Sequence, residues 1–289
     1  MPWSEPPEAD IDRYVRRLSR QFGISVSDVQ ALLLGLNIDG LSQAEQRALI
    51  SEINEIYGDL EGYVINFVNT SIDEVYEHGR ARALVALGIV ASIAAAKRRL
   101  RQAPISHLHR TFMTAEKEVF VDDLLAATSN TKRRVKRIVR QVAAERLRQQ
   151  RDGSLSSRTT SRRLERDVRQ RLGDAADFAI RDALNRRWRL RVYAEMVART
   201  KLTETHFEST RNEAIEHGAF YAVVSNHANP CEKCAPWQSR IVKLTSDASG
   251  NYPTLDEARS SGLFHPHCKH SISPVRSVDL LPESIRQIN

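Results

Sequence analysis

The chain has 289 residues, 41% of them apolar, enough to bury a core and to exclude wholesale disorder. Its formal net charge of +7 conceals an asymmetry: residues 1–80 carry 14 acids against six Arg, whereas 131–191 carry 20 Lys and Arg against seven acids. An acidic front and a basic middle imply two different partners, the middle one a polyanion. The three cysteines all fall between 231 and 268, an odd, clustered set that is no disulfide framework and suits a reducing cytoplasm. The first residues hold no basic stretch followed by an apolar run, so no secretory leader is expected.

Residues 8–220 read as almost continuous helix. Ile11, Tyr14, Val15 and Leu18 mark one apolar face. Ser25 or Ser27 is placed to cap a short second helix that Gly35 ends. Ser42-x-x-Glu45 is a capping-box signature opening the next helix, which runs toward Tyr57-Gly58, and a longer one follows to about His78. The stretch from Ala83 to Ala96 is almost wholly apolar but only 14 residues long. A spanning helix needs about 20, so this stretch reads as a buried helix and no stable membrane span is expected. Pro104 interrupts the chain downstream, and Thr114 to Lys117 begin another helix.

The basic section has two parts separated by a break at Asp152-Gly153-Ser154. In 131–150, Val135, Ile138, Val139 and Val142 form an apolar stripe, with Lys132, Arg133, Arg134, Lys136, Arg137 and Arg140 over the remaining surface. In 158–172, Leu164, Val168 and Leu172 recur every fourth residue while Arg162, Arg163, Arg166, Arg169 and Arg171 point elsewhere. With few aromatics and no recognition signature, these cations suit contact with nucleic-acid phosphates without sequence reading. The competing explanation is a solvated face packed against acidic protein surfaces. A further long helix, about 175–216, ends at His217-Gly218.

After Gly218 the pattern changes to short strands at 220–224, 240–244 and 270–275, joined by loops rich in Gly, Pro, Asn and Ser. The expected fold is therefore mainly α: a long-helix body with a small C-terminal α+β zinc-knuckle module, treble-clef-like in kind. Three regions follow, a helical 1–130 that is acidic at its start, a basic long-helix 131–217, and a Cys/His metal-knuckle module at 218–289.

That module carries the strongest chemical signal. Zinc takes thiolate and imidazole donors placed tetrahedrally, and two donors separated by two residues bind one ion from a tight turn. Cys231-x2-Cys234 has this spacing, and His265-x2-Cys268 repeats it with an imidazole in the first place. A structural Zn2+ site of Cys231, Cys234, His265 and Cys268 follows, with His270 the main alternative for the fourth position and His267 a weaker one. A redox CxxC would open a helix after a strand, whereas Asn229-Pro230 and Ala235-Pro236 flank this pair as in a loop. A hydrolytic zinc keeps an open position and a nearby base. Glu232 and Glu257 form no recognisable arrangement for that role, and no catalytic constellation can be assigned.

Ala198-Arg199-Thr200, the helix to Gly218, Asn229-Pro230-Cys231-x2-Cys234-Ala235-Pro236-Trp237-Gln238 and Gly262-Leu263-Phe264-His265-Pro266-His267-Cys268-Lys269-His270-Ser271 together resemble the phage minor capsid protein family related to Mu F-like head morphogenesis proteins. The resemblance covers about residues 195–276. The family's usual Asn-Cys-Arg-His reads His267-Cys268-Lys269-His270 here. It implies a low-copy virion component assembled in the host cytoplasm, with the portal or the major capsid protein and packaged DNA as partners. The alternative is a metal-dependent HNH-like nuclease or toxin-like DNA-acting protein, which requires an Asp/His base and an Asn in a ββα hairpin. These residues cannot be assigned around His265–His270.

Overall fold

The computed structural model describes residues 10–36, 42–151, 158–182, 184–265 and 268–288, with backbone alone at 146, 147, 149–151 and 158–165. The expected break at Asp152-Gly153-Ser154, the side chains of Arg162 and Arg163, and His267 lie outside what is described. Helices dominate: α1 (Ile11–Leu34), α2 (Gln43–Ala86), α3 (Ile93–Gln102), α4 (His107–Arg151), α5 (Arg158–Ala176) and α6 (Leu190–Glu216). Strands β1 (Phe178–Arg181) and β2 (Arg187–Arg189) fall between α5 and α6, and β3 (Tyr221–Val224), β4 (Ile241–Lys243), α7 (Leu255–Ser260), β5 (Ile272–Val275) and α8 (Glu283–Arg286) follow. The chain is mainly α with a small C-terminal α+β module, as its pattern predicts. The described residues cluster into two compact units: one draws on those within 1–14, 69–119 and 198–289, the other on those within 15–68 and 120–197.

Several helix boundaries differ from the sequence reading, each for a physical reason. Ser25 sits buried inside α1 instead of capping a second helix, because Val15, Leu18, Phe22, Val29 and Leu33 form one unbroken buried stripe. Gly58 does not end α2 either. A helical Gly costs about 1 kcal/mol relative to Ala, whereas burying each of Ile53, Leu60 and Val64 is worth roughly 1.5–3 kcal/mol. The apolar stretch at 83–96 is not one helix. Gly88 adopts φ +67°, the amide of Ile89 closes back on the Leu84 carbonyl at 2.9 Å, and Ser92 caps the new helix α3. Ala81, Leu84, Ala96 and Leu100 pack together across that turn. Ser42 and Glu45 do form the expected capping box, with Ser42 N–H on Glu45 Oε2 at 2.8 Å and Glu45 N–H on Ser42 Oγ at 3.2 Å.

The largest difference is at 175–216, where one helix was expected. α5 ends at Ala176, and a hairpin pairs Ile180 with Trp188 and Arg181 with Arg187 before α6 begins. Asp182 makes the turn: its Oδ1 accepts the amides of Leu184 at 3.0 Å and Arg186 at 2.9 Å, and its Oδ2 accepts Trp188 Nε1 at 3.1 Å. Asn185 takes the left-handed conformation, which Asn tolerates better than most residues.

In the C-terminal module the sheet order is β4-β3-β5, antiparallel throughout. Alternation along β3 sends Ala222 and Val224 to one side and Val223 to the other. The first side packs with Phe207 and Ala214 of α6, Leu255 and Ala258 of α7, and Cys234. Val223 packs with Ile241, Val275 and Leu281. No helix among the described residues is long and apolar enough to cross a membrane.

Candidate functional site

Two hydrogen-bonded turns build the metal-ligating cluster. After β3 the chain reverses so that the amides of Cys234 and Ala235 both reach the Cys231 carbonyl, at 3.0 and 2.9 Å. Pro236 then sets a short 3-10 helix, Ala235–Trp237. The second turn follows α7, which Thr254 and Glu257 cap reciprocally. Glu257 therefore lies on a helix, and its carboxylate is committed to that cap. Gly262, at φ +102°, lets the chain pass Lys233, whose Cδ would stand 3.0 Å from an added Cβ. The Cys268 amide then closes on the His265 carbonyl at 2.8 Å.

These turns bring Cys231, Cys234, His265, Cys268 and His270 together as two trios that share Cys234: Cys231, Cys234 and His265, and Cys234, Cys268 and His270, each with donor atoms within 4.8 Å. Cys234 Sγ and Cys268 Sγ are 3.6 Å apart, Cys231 Sγ and His265 Nε2 3.1 Å, and Cys268 Sγ and His270 Nδ1 3.4 Å. Donors bound to one tetrahedral zinc at its usual bond lengths stand roughly 3.4–3.8 Å apart. The sulfur pair matches that separation and the Cys231–His265 pair is a few tenths of an ångström tighter. The donor set thus fits a zinc knuckle.

The environment is graded. Cys231 is exposed and Cys234 is buried in the apolar cluster of Val224, Leu263 and Ile272. The Cys234 amide, with help from the Cys234 thiol and His265, lowers the Cys231 thiol to about 7. Burial, reinforced by the neighbouring sulfurs, pushes Cys234 up to about 12. A bound cation reverses that second effect, since a coordinating thiol is deprotonated. His227 supports the site without joining either trio: its ring packs edge-on against His270, with centroids 4.7 Å apart. His206 is a buried core residue with its Nε2 3.2 Å from His78 Nδ1.

The basic residues are distributed differently from their even spread in sequence. Lys132 pairs with Glu61 at 3.2 Å, Lys136 bonds Asn54 Oδ1 at 3.1 Å, and Arg169 bonds the Leu34 carbonyl. Arg134 is half-buried, its guanidinium 4.3 Å from the centre of the Phe178 ring. Arg133, Arg137, Arg140 and Arg166 are exposed. Arg133, Lys136, Arg137 and Arg140 line one concavity on α4 with Gln141 and Ala144. The sequence reading passed over Arg181 and Arg187, which the unforeseen hairpin carries. Turn-forming Asp182 and Asn185, set between Phe178-Ala179-Ile180 and Trp188, were the available signal.

Comparison with known proteins settles the family. The family model for phage minor capsid protein 2 matches residues 47–283, well over half of the chain. The chain belongs to this phage minor capsid family. The match extends upstream of the C-terminal module through the whole basic section and most of α2, so the helical body from α2 onward belongs to the family as much as the Cys/His module does. No curated protein and no solved structure matches the chain.

Proposed function

We propose that this minor capsid protein is a non-enzymatic head component that associates with the portal or the major capsid protein and lies against packaged DNA. The observation that carries the reading is family membership over residues 47–283. The charge distribution supports the assignment of partners. The acidic start of region 1–130 is suited to protein, while region 131–217 keeps Arg133, Arg137, Arg140 and Arg166 exposed for phosphates. Assembly takes place in the host cytoplasm and the mature protein resides in the virion.

In this reading region 218–289 holds one structural Zn2+ through Cys231, Cys234, Cys268 and His265, with His270 as the competing fourth donor. The ion supplies folding free energy to a module whose apolar cluster is small and rich in alanine. The ligands' packing against β3, β5 and α7 makes the ion a fastener for the sheet.

The test is to build particles with and without the wild-type chain and with Cys231→Ser or Cys268→Ser. Protein content, DNA content and infectivity are then compared. The reading expects the chain in purified heads, and heads with missing or misplaced protein in the variants. Absence of the chain from particles, or normal infectivity of both variants, overturns it and favours an intracellular DNA-acting enzyme.

A further inference from the structure

The hairpin places charge where the sequence shows only a continuation of helix. Phe178 opens β1, and two guanidiniums share its ring: that of Arg134 from α4 at 4.3 Å from the centroid and that of Arg187 from β2 at 5.4 Å. Arg181 pairs directly with Arg187 across the hairpin, and its Nη1 is held by the Asn185 carbonyl at 3.1 Å and Oδ1 at 2.9 Å, both neutral partners. Arg137 follows Arg134 on α4. Among the described residues no carboxylate lies within ion-pair distance of Arg134, Arg137, Arg181 or Arg187. Two nearby acids are engaged elsewhere, Asp182 with Arg186 at 2.6 Å and Asp177 with Arg189 at 3.6 Å, while Asp174 acts on Arg134 through space without forming an ion pair with it.

Like charges gathered on one ring repel unless something neutralises them. Burial, and then the fields of Arg187, Arg137 and Arg181, lower the Arg134 guanidinium from its ordinary value, with Asp174 opposing. The Nε of Arg134 is buried, and among the described residues it has no hydrogen-bond acceptor. A phosphate answers the excess charge of the exposed Arg137, Arg181 and Arg187 and the half-buried Arg134: it is a compact anion with several acceptor oxygens, and guanidinium forks match it bidentately. Stacking on Phe178 holds the two forks in place and lowers the entropy lost when they bind.

We infer that Arg134 and Arg187 on Phe178, flanked by Arg137 and Arg181, form a platform for a backbone phosphate of duplex DNA, continuous with Arg133 and Arg140 along α4. This rests on the DNA-facing reading above and adds to it the hairpin as a contact element. From Arg133 to Arg140 the helix rises about 10 Å, far enough for its arginines to reach more than one phosphate in the regular series along a strand. The platform therefore anchors one end of a short run of backbone contacts. A row of carboxylates on a folded protein lacks that regular repeat.

The experiment is a fluorescence-anisotropy titration of the full-length protein with two labelled 20-base-pair duplexes of unrelated sequence, at several salt concentrations. The variants are Arg181→Gln/Arg187→Gln and, separately, Arg133→Gln/Arg140→Gln. Losing two phosphate contacts should weaken binding on the order of tenfold for both duplexes and reduce the salt slope by nearly two in each variant. If the hairpin variant binds like wild type while the α4 variant weakens, the platform is overturned and the DNA-facing reading stands. If the wild-type protein binds neither duplex, both fail. Binding to poly-glutamate but not DNA, lost in the hairpin variant, assigns the face to an acidic protein and also overturns the platform. Should the hairpin variant melt early, Arg137→Gln, exposed on α4, probes the same site, and unchanged affinity there counts against it.

Discussion

The guanidinium of Arg82, fully buried on α2, donates to the carbonyl of Ile272 on β5 at 2.5 Å and to the Ser273 hydroxyl at 3.3 Å. One side chain thus ties a long helix to the strand that follows the second knuckle, 190 residues later. Bonds from a charged donor inside a low-dielectric environment are worth more than neutral ones, and an orphaned strand carbonyl is costly. Arg82→Ala is expected to cost about 3 kcal/mol, counting the cavity as well as the lost bonds. Denaturant unfolding of wild type and variant measures this, and a loss below about 1 kcal/mol is incompatible with an anchoring role.

Close approach of α2 and α6 gives a second prediction. A Cβ on Gly79 would stand 1.8 Å from Ser209 Oγ and 2.5 Å from the His206 carbonyl oxygen. Gly79→Ala forces backbone to move and should destabilise by roughly 3 kcal/mol despite the better helix propensity of Ala. Adding Ser209→Gly removes the hydroxyl but not the carbonyl, so rescue should be partial. Thermal melts of wild type and the two variants test the ordering.

Arg80 and Glu213 form a buried ion pair at 2.5 Å, and Glu213 also meets His109 and His217, each at 3.2 Å. Burial raises Glu213, but the bonds from His109 and Arg80 more than offset it and hold the carboxyl below its usual range. A folded-state pKa below the unfolded one contributes stability at neutral pH that is lost as pH falls through it. Arg80→Ala leaves the carboxylate buried beside two histidines and should cost about 3–5 kcal/mol at pH 7. Arg80→Met with Glu213→Leu should recover most of that loss in the same unfolding assay.

The histidine pair gives a pH prediction at a different window. Burial, then Lys97 and Arg82, push His78 down to about 4, and burial lowers its neighbour His206 as well. Between pH 6.5 and about 4 the unfolded chain therefore takes up a proton at His78 that the folded chain refuses, so stability falls as pH drops through that range. His78→Gln should narrow the fall in melting temperature between pH 7 and 5 relative to wild type. An identical pH profile in the two proteins rules out His78 as a source.

For the metal centre, freshly reduced protein should hold about one zinc per chain by elemental analysis. Cys234→Ser, or a strong chelator, should abolish that content and alter Trp237 fluorescence, since Trp237 packs against the cluster containing Cys234. Most of the helical circular dichroism should persist. His265→Asn should lose zinc and His270→Asn retain it, and the reverse result moves the fourth ligand to His270.

The features legible in the sequence are those fixed by near neighbours. The capping box at Ser42, the ends of helices at Gly35 and Gly218, and the two-residue spacing of each donor pair are settled within one or two turns of chain, because their hydrogen bonds close over three to five residues. The mainly helical class follows equally from the recurrence of apolar residues along each helix.

What tertiary structure decided is what depends on distant partners. α1 and α2 run through Ser25 and Gly58 because long buried stripes outweigh local stop signals. Lys132 and Arg134 look alike in the sequence, yet one is neutralised by Glu61 and the other stacks on Phe178 beside Arg187. The five Cys and His donors converge only because β3 and β5 pair and α7 packs beneath them. Local hydrogen bonds set each turn, but the charge left on a surface and the donors gathered at a point are sums over neighbours that only the folded chain brings together.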